Sequence, residues 1–369
     1  MEKLVFFGKG GIGKSTTSSC ISATLAATGQ RVLQVGCDPK HDSTVLLLRG
    51  QMIDPVVDRK LDLSSVKPED IVARSHLGID CVEAGGPEAG VGCGGRGVSR
   101  MIEIFNAAKL LSPERYDTTI FDVLGDVVCG GFAAPLKKGV GEKIIIVASE
   151  EVMALYAANN IAKAVVNYAA NGVKLAGIVV NLRDNNEDRA PVERFARLIN
   201  TRVLGYIPRD PLIREAEYRR QTVVEMAPAS PIAKVYRELA KTILAIEASQ
   251  LPLPTPLSEQ RFYALTPYRF EEPPGGIAPA GQNTAAAMTP GAELPGGATA
   301  VGLRLASRAA PSATPQKTDF DLELRSGRRA VRAGRVSAVE AVNRLKAHFG
   351  EQAASLRIED LTTIEERVA

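Results

Sequence analysis

The first residues whose types and spacing could do chemistry lie in the segment GKGGIGKST, Gly8 to Thr16, between an apolar run and a helical pattern. It fits the pattern G-x-x-x-x-G-K-[ST], in which backbone N–H groups surround phosphates, the lysine reaches the β and γ oxygens and the hydroxyl binds Mg²⁺. Lys14 and Ser15 take these two roles. The other predicted phosphate-binding residues are Gly8, Lys9, Gly10, Gly11, Ile12, Gly13 and Thr16.

Two later segments place acidic residues where they could act on the same phosphates. GCDPKHDST ends one apolar run, and FDVLGDVVCGGF continues another. The carboxyl ends of parallel strands form the ligand crevice of such sheets. We therefore expect Asp38 to orient the attacking water and Asp42 to help hold Mg²⁺. Asp122 is predicted to act as a Walker-B-type acid, and Gly125 of D-x-x-G to sense the γ-phosphate.

Two of the five cysteines, Cys93 and Cys129, lie in glycine-rich segments. The composition of these segments does not distinguish between a redox disulfide, a zinc site and an iron-sulfur cluster, all of which use thiolates. Two cysteines cannot complete a four-thiolate site, but a symmetric dimer could supply two more across its two-fold axis. Three other cysteines adjoin apolar residues and are interpreted as core thiols: Cys20, Cys37 and Cys81.

The elements that must position these residues are short apolar runs alternating with amphipathic stretches. KLVFFG, RVLQVG, TTIFDV, KIIIVAS, LAGIVVN and RVLGYIP are predicted to be buried parallel strands. Helices are predicted at 15–28, 98–111, 151–170 and 231–249. The pattern indicates an α/β fold with a doubly wound, mostly parallel sheet over residues 1–250.

The composition changes near residue 250. Eleven of the 22 prolines lie between Pro252 and Pro315, which predicts a disordered Pro/Gly/Ala-rich linker over residues 251–318. Residues 319–369 have apolar positions at helical spacing and are predicted to form a small helical extension. An alternative is a solvated tail, or an arm that tethers a partner.

The whole-chain composition excludes several classes of protein. The net charge of +3 over 369 residues does not indicate a protein that coats nucleic acid. On this ground we expect no nucleic-acid partner. We expect no membrane partner, because no apolar stretch approaches the length of a membrane span. The first residues have no signal-peptide pattern, and five irregularly spaced cysteines fit a reducing compartment, so a cytoplasmic location is predicted.

Six segments together resemble the iron protein of nitrogenase and its relatives, over roughly residues 1 to 250. They are GKGGIGKSTT, GCDPKHDST, CVEAGGPEAGVGCGGRGV, FDVLGDVVCGGFAAPL, LYAANNIAKAV and IPRD. The resemblance implies a deviant P-loop NTPase that forms a homodimer with one [4Fe-4S] cluster at the two-fold axis and one MgATP per subunit. It implies a catalytic partner, a nitrogenase-like heterotetramer, and a ferredoxin or flavodoxin as electron donor.

The resemblance also assigns residues. Cys93 and Cys129 would be the cluster ligands, and Lys9 would cross the dimer interface to the partner's nucleotide. Asp38, Lys40 and Asp42 would belong to a first switch, and Asp122 to Asp126 to a second. Asn181 resembles an adenine-contacting asparagine, with Pro208, Arg209 and Asp210 nearby. Arg96 resembles an arginine of the docking surface.

The segment around His41 bears on the substrate of the catalytic partner. His41 stands where nitrogenase iron proteins usually have alanine, and PKHDS is more like nitrogenase-like reductases. Methylthio-alkane reductase is the first expectation, with true dinitrogenase reductase or a tetrapyrrole-reductase iron protein as the alternative. A scaffold ATPase of the partition or septum-site type shares the P-loop and Lys9 but has no need of Cys93 and Cys129.

Overall fold

The computed structural model describes residues 1–38, 40–85, 95–123, 125, 134–137 and 139–273. Within them, eight strands form one sheet: β1 (Glu2–Phe7), β2 (Val32–Cys37), β3 (Ala73–Arg74), β4 (Asp80–Glu83), β5 (Thr118–Val123), β6 (Lys143–Ala148), β7 (Lys174–Asn181) and β8 (Val203–Ile207). The strand order is β3-β4-β2-β5-β1-β6-β7-β8. All neighbours are parallel except β3 and β4, which run antiparallel. The predicted doubly wound α/β fold is confirmed.

The described residues form eight α-helices. They are α1 (Lys14–Ala27), α2 (Gly95–Ala107), α3 (Val152–Asn167), α4 (Ala190–Leu198), α5 (Pro211–Tyr218), α6 (Val223–Met226), α7 (Pro231–Leu244) and α8 (Glu259–Leu265). Of these, α1, α2, α3 and α7 correspond to the four that the amphipathic pattern predicts. No helix of the described residues is long and apolar enough to cross a membrane.

The central strands are buried on both faces, which explains their nearly continuous apolar sequences. All residues of β2, β5 and β6 are buried. The six apolar runs named above correspond to β1, β2, β5, β6, β7 and β8. The two strands that this pattern did not predict, β3 and β4, are short and lie together at one edge of the sheet. This edge includes Glu83, a buried acid that sequence reasoning did not single out.

The predicted start of the linker at residue 251 does not match the structure. Residues 251–273 pack on the domain, and Leu251, Leu257, Phe262, Leu265 and Phe270 are all buried. We call residues 251–273 the C-terminal arm. Its prolines permit an extended chain that lies along a surface, and composition alone does not distinguish such a chain from a solvated linker. The predicted linker beyond 273 and the extension at 319–369 lie outside the described residues.

Side chains on α3 and α4 hold the C-terminal arm in place. Asn159 accepts a hydrogen bond from Leu257 N and donates one to Leu257 O, both at 2.8 Å. The ring of Phe262 lies edge-on to Phe195 and to Tyr156, with centroid distances of 6.0 and 5.3 Å. These contacts make the arm part of the core, so the folded unit extends beyond residue 250.

Candidate functional site

The phosphate-binding segment lies between β1 and α1, as the sequence predicts. Gly13 is the N-cap of α1 with φ 89°, and the first turn of the helix has no side-chain cap and no acidic residue. The N–H groups of that turn and the positive end of the helix dipole are therefore suited to an anion.

Two glycines leave room for close backbone approach. A Cβ on Gly13 would lie 2.3 Å from Asn181 Nδ2, and a Cβ on Gly8 would lie 2.3 Å from Val147 O. Asn181 donates a hydrogen bond to Ile12 O at 2.8 Å, which joins the end of β7 to the phosphate-binding segment. Asn181 and the phosphate-binding segment are therefore in contact, although 169 residues separate Asn181 from Ile12.

Lys14 and Asp122 meet beneath this segment. Lys14 Nζ lies 3.3 Å from Asp122 Oδ1, and both side chains are nearly buried. Neither carboxylate oxygen of Asp122 accepts a hydrogen bond from the described residues. A buried carboxylate normally has such partners. Its open acceptor positions, one residue from the end of β5, fit a Mg²⁺ ion or its water ligands.

The first switch begins directly after β2. Asp38 Oδ1 accepts a hydrogen bond from Lys40 N at 2.9 Å, and His41 has φ 45° in the left-handed region. Partial burial raises the pKa of Asp38 above its usual value. Asp42 and Lys40 are exposed. The segment therefore presents one half-buried and one exposed carboxylate near Lys14.

The second switch touches the phosphate-binding segment through its backbone. Gly8 N–H donates to Gly125 O at 3.4 Å, and Gly125 has φ 54°. Asp126, Cys129 and Cys93 lie outside the described residues, and so does the side chain of Arg96. The described part of the second switch, Asp122, Val123 and Gly125, is consistent with the predicted contact to the nucleotide phosphates.

A cavity of about 460 Å³ continues from the phosphate-binding segment. Its lining brings together predicted residues from three parts of the chain, namely Gly11, Gly13, Thr16, Asn181, Pro208, Arg209 and Asp210. A cavity of this volume with a polar lining is in the range of small-molecule sites. The phosphate-binding segment and the polar residues around it fit a nucleoside triphosphate.

The cavity also contains residues that sequence reasoning missed. Glu217 on α5 accepts a hydrogen bond from Thr16 Oγ1 at 2.7 Å, and Arg183 donates to Gly11 O at 3.0 Å. Tyr236 on α7 completes the lining and is almost fully buried. Two of these residues belong to late helices whose amphipathic pattern predicts only a packing face, so no sequence signal marks them.

The loop after β8 is held by side-chain hydrogen bonds. Asn185 bonds both backbone groups of Arg209, accepting from N at 2.7 Å and donating to O at 2.9 Å. The Asp210 side chain accepts from Leu212 N at 2.8 Å and so caps α5. Asp210 therefore serves as a helix cap as well as lining the cavity.

A second buried carboxylate lies beside the nucleotide-binding residues. Glu83 Oε1 accepts hydrogen bonds from both Thr44 N and Thr44 Oγ1, each at 2.7 Å. Burial raises the pKa of Glu83 to about 8, and the negative charges of Asp122 and Asp42 contribute to the same shift. Glu83 is the last residue of β4, a short strand between β3 and β2 that the sequence pattern did not predict.

Three cysteines of the described residues are core thiols, as predicted. Cys20, Cys37 and Cys81 are free and buried. Burial raises the pKa of Cys20 to about 12 and raises those of the other two strongly. They are therefore poor thiolates and poor metal ligands. The described residues contain no group of three His, Cys, Asp or Glu side chains placed to hold a metal ion.

Comparison with known protein families agrees with this site. The model of the 4Fe-4S iron sulfur cluster binding proteins, NifH/frxC family, matches residues 2–271. The chain belongs to this family. Members bind a [4Fe-4S] cluster and MgATP, and these are the cofactors of this protein. The match includes almost all of the C-terminal arm, in agreement with its packing on the domain.

Two relatives are similar over nearly their whole length. A nitrogenase iron protein from Methanococcus voltae is 45% identical over 269 residues, covering 72% of this chain and 96% of the relative. A nitrogenase iron protein from Methanospirillum hungatei is 43% identical over 264 residues, covering 70% and 93%. Together with the family, they identify the chain as a nitrogenase-like reductase component.

Solved structures of other ATPases share the fold. The cell division ATPase MinD of Pyrococcus furiosus has a TM-score of 0.51 at 24% identity, covering 66% of this chain and 99% of its own. MinD from Pyrococcus horikoshii with Mg-ADP has a TM-score of 0.53 at 23% identity, with coverages of 68% and 100%. At these identities the likeness concerns the P-loop fold alone.

Proposed function

We propose that this protein is the ATP-dependent electron-donating component of a nitrogenase-like two-component enzyme, with a methylthio-alkane reductase type of partner. The observation that carries the proposal is the meeting of Lys14, Asp122 and Gly125 at the phosphate-binding segment. Cys129 follows Gly125 by only four residues in the chain. A change at the nucleotide phosphates therefore acts on the same short segment that carries a proposed cluster ligand.

The nucleotide-binding residues have separate roles. The N–H groups at the start of α1 and the Lys14 ammonium hold the phosphates, and the Ser15 hydroxyl and Asp122 hold Mg²⁺. Asp38 orients the attacking water, and Asn181 borders the end of the cavity where the base would lie. Lys9, which is exposed, reaches the partner subunit's nucleotide in the proposed homodimer.

The cysteines are proposed to complete the site across the dimer. Cys93 and Cys129 from each subunit provide four thiolates, which suit an iron-sulfur cluster. The bound cluster supplies the electron that passes to the catalytic partner. Hydrolysis relaxes the second switch, and the chain segment between Gly125 and Cys129 transmits that change.

Two substitutions separate the two halves of this proposal. Cys93→Ser is expected to abolish iron binding in anaerobically purified protein, while MgATP affinity by calorimetry stays within a few-fold of wild type. Lys14→Ala is expected to keep the iron and lose MgATP binding and hydrolysis. A Cys93→Ser protein with a full complement of iron contradicts the cluster assignment, and unchanged MgATP binding in Lys14→Ala contradicts the nucleotide assignment.

The reaction of the partner has a second candidate. His41 supports a nitrogenase-like reductase outside true nitrogenase, whereas the names of the relatives at 43–45% identity support dinitrogenase reductase. Affinity capture under anaerobic conditions, followed by assay of the captured complex with methylthio-alkanes and with N₂, tests both. Reduction of N₂ by that complex contradicts the methylthio-alkane type. A ferredoxin or flavodoxin donor and a cytoplasmic location complete the proposal.

A further inference from the structure

The side chain of Glu83 occupies a space that is open because Gly36 has no side chain. In the register of the sheet, Glu83 on β4 pairs with Gly36 on β2, and Gly36 pairs with Asp122 on β5. A Cβ on Gly36 would lie 1.8 Å from Glu83 Oε2. The carboxylate therefore fills the place of the missing side chain, directly beside the nucleotide-binding row of the sheet.

Glu83 holds the first switch at one residue. Both donors of Thr44, its backbone N–H and its hydroxyl, bond the same oxygen, Oε1, at 2.7 Å. The preceding residue is held from the other side, because Ser19 Oγ on α1 donates to Ser43 O at 3.3 Å. A helical turn then starts at Thr44, whose carbonyl accepts from the N–H groups of Leu47 and Leu48 at 3.0 Å each. Asp42 is thus two residues from a doubly fixed point.

The other carboxylate oxygen of Glu83, Oε2, indicates that this arrangement has a functional role. Oε2 is buried and accepts no hydrogen bond from the described residues. A buried acid with one open oxygen costs stability, and such groups concentrate at functional sites. Two hydrogen bonds to one oxygen in the low-dielectric interior are directional, so they fix the Thr44 backbone rather than merely fill space.

We propose, resting on the function proposed above, that Glu83 is a positioning residue for the nucleotide response: it acts through Thr44 to hold the first switch, residues 38–44, where Asp38 and Asp42 face the phosphates. Glu83 is not among the residues that line the nucleotide cavity. Its loss therefore leaves nucleotide binding in place and weakens what the protein does with the γ-phosphate.

Three variants of the iron-loaded, full-length protein test this assignment. Glu83→Met removes the acceptor for both Thr44 donors at similar volume, Thr44→Val removes the hydroxyl at nearly constant volume, and Thr44→Ser keeps both donors as the matched control. The readouts are the Kd for MgADP and the excess of the iron-release rate, with a chelator, in MgATP over that in MgADP. We expect the excess to fall at least fivefold in Glu83→Met and Thr44→Val, and to stay within twofold of wild type in Thr44→Ser. The Kd for MgADP is expected to stay within twofold in all three.

The outcomes separate the two proposals. A wild-type protein without iron or without an MgATP response overturns the proposed function, and the role of Glu83 with it. A wild-type response that persists unchanged in Glu83→Met and Thr44→Val overturns the role of Glu83 alone. A parallel loss of MgADP affinity also overturns it, because general disruption of the site would then explain the effect. If Glu83→Met does not fold, the comparison of Thr44→Val with Thr44→Ser decides.

Discussion

The C-terminal arm provides a direct test of the packing described above, through the substitution Phe262→Ala. Phe262 is fully buried and contacts the rings of Phe195, Phe270 and Tyr156. Removing a buried phenylalanine ring leaves a cavity and costs about 3–5 kcal/mol of unfolding free energy. For a folded unit of this size, with an unfolding entropy of about 2.1 cal/mol/K per residue, that corresponds to a fall in Tm of roughly 5–9 °C.

The neighbouring residue offers a matched control. Tyr263 lies next to Phe262 on the same helix, but its side chain is 48% exposed. Tyr263→Ala should therefore cost about 1 kcal/mol, because the ring gives up less buried area. Both variants are measured by thermal unfolding of anaerobically purified full-length protein, at one protein concentration and one nucleotide concentration. Equal Tm values for Phe262→Ala and Tyr263→Ala would refute the packing of the arm and restore the linker prediction at residue 251.

Three further predictions concern the nucleotide site and its buried acids. Gly13→Ala is expected to weaken MgATP binding at least tenfold in a calorimetric titration, since φ 89° and the approach to Asn181 leave no room for a Cβ. Unchanged affinity would contradict the binding of phosphates at the phosphate-binding segment. Asp122→Asn is expected to lower ATP hydrolysis about a hundredfold while the protein stays folded, and a rate within twofold of wild type would exclude Asp122 from Mg²⁺ binding. The pKa of Glu83 is raised from 4.5 to about 8, so its stabilising contribution is complete below pH 4.5 and is lost as the pH rises to 8. Relative to Glu83→Gln, the unfolding free energy of wild type should therefore fall by up to about 1.4 kcal/mol per pH unit in that interval, and a constant difference in urea unfolding would show that Glu83 ionises normally.

The sequence predicts the parts of this protein that have strong local patterns. The phosphate-binding segment required a strand before it and a helix after it, and β1 and α1 are both present. Five of the six predicted strands lie inside the sheet, where burial on both faces makes them almost continuously apolar. The sixth, β8, lies at an edge and is only partly buried. The family resemblance assigned Asn181 to the adenine, and that role stays a prediction. The structure places Asn181 against the phosphate-binding segment, through its hydrogen bond to Ile12 O.

The remaining features depend on contacts between distant parts of the chain. Glu83 lies at the end of the short strand β4, and its side chain occupies the space left by the absence of a side chain at Gly36. Glu217 and Thr16 are 201 residues apart and meet only after α5 packs near α1. The C-terminal arm was misjudged because its prolines indicated a linker, while a single seven-residue helix with Phe262 and Leu265 was enough to fix it on the core.

The central claim is that the nucleotide site and an iron-sulfur cluster act together, and a redox titration of the full-length protein with and without MgATP tests it most directly. We expect one [4Fe-4S] signal per dimer, with a reduction potential that changes when MgATP is added to wild type but not when it is added to Lys14→Ala. No iron-sulfur signal, or a potential that MgATP leaves unchanged in wild type, would contradict the account.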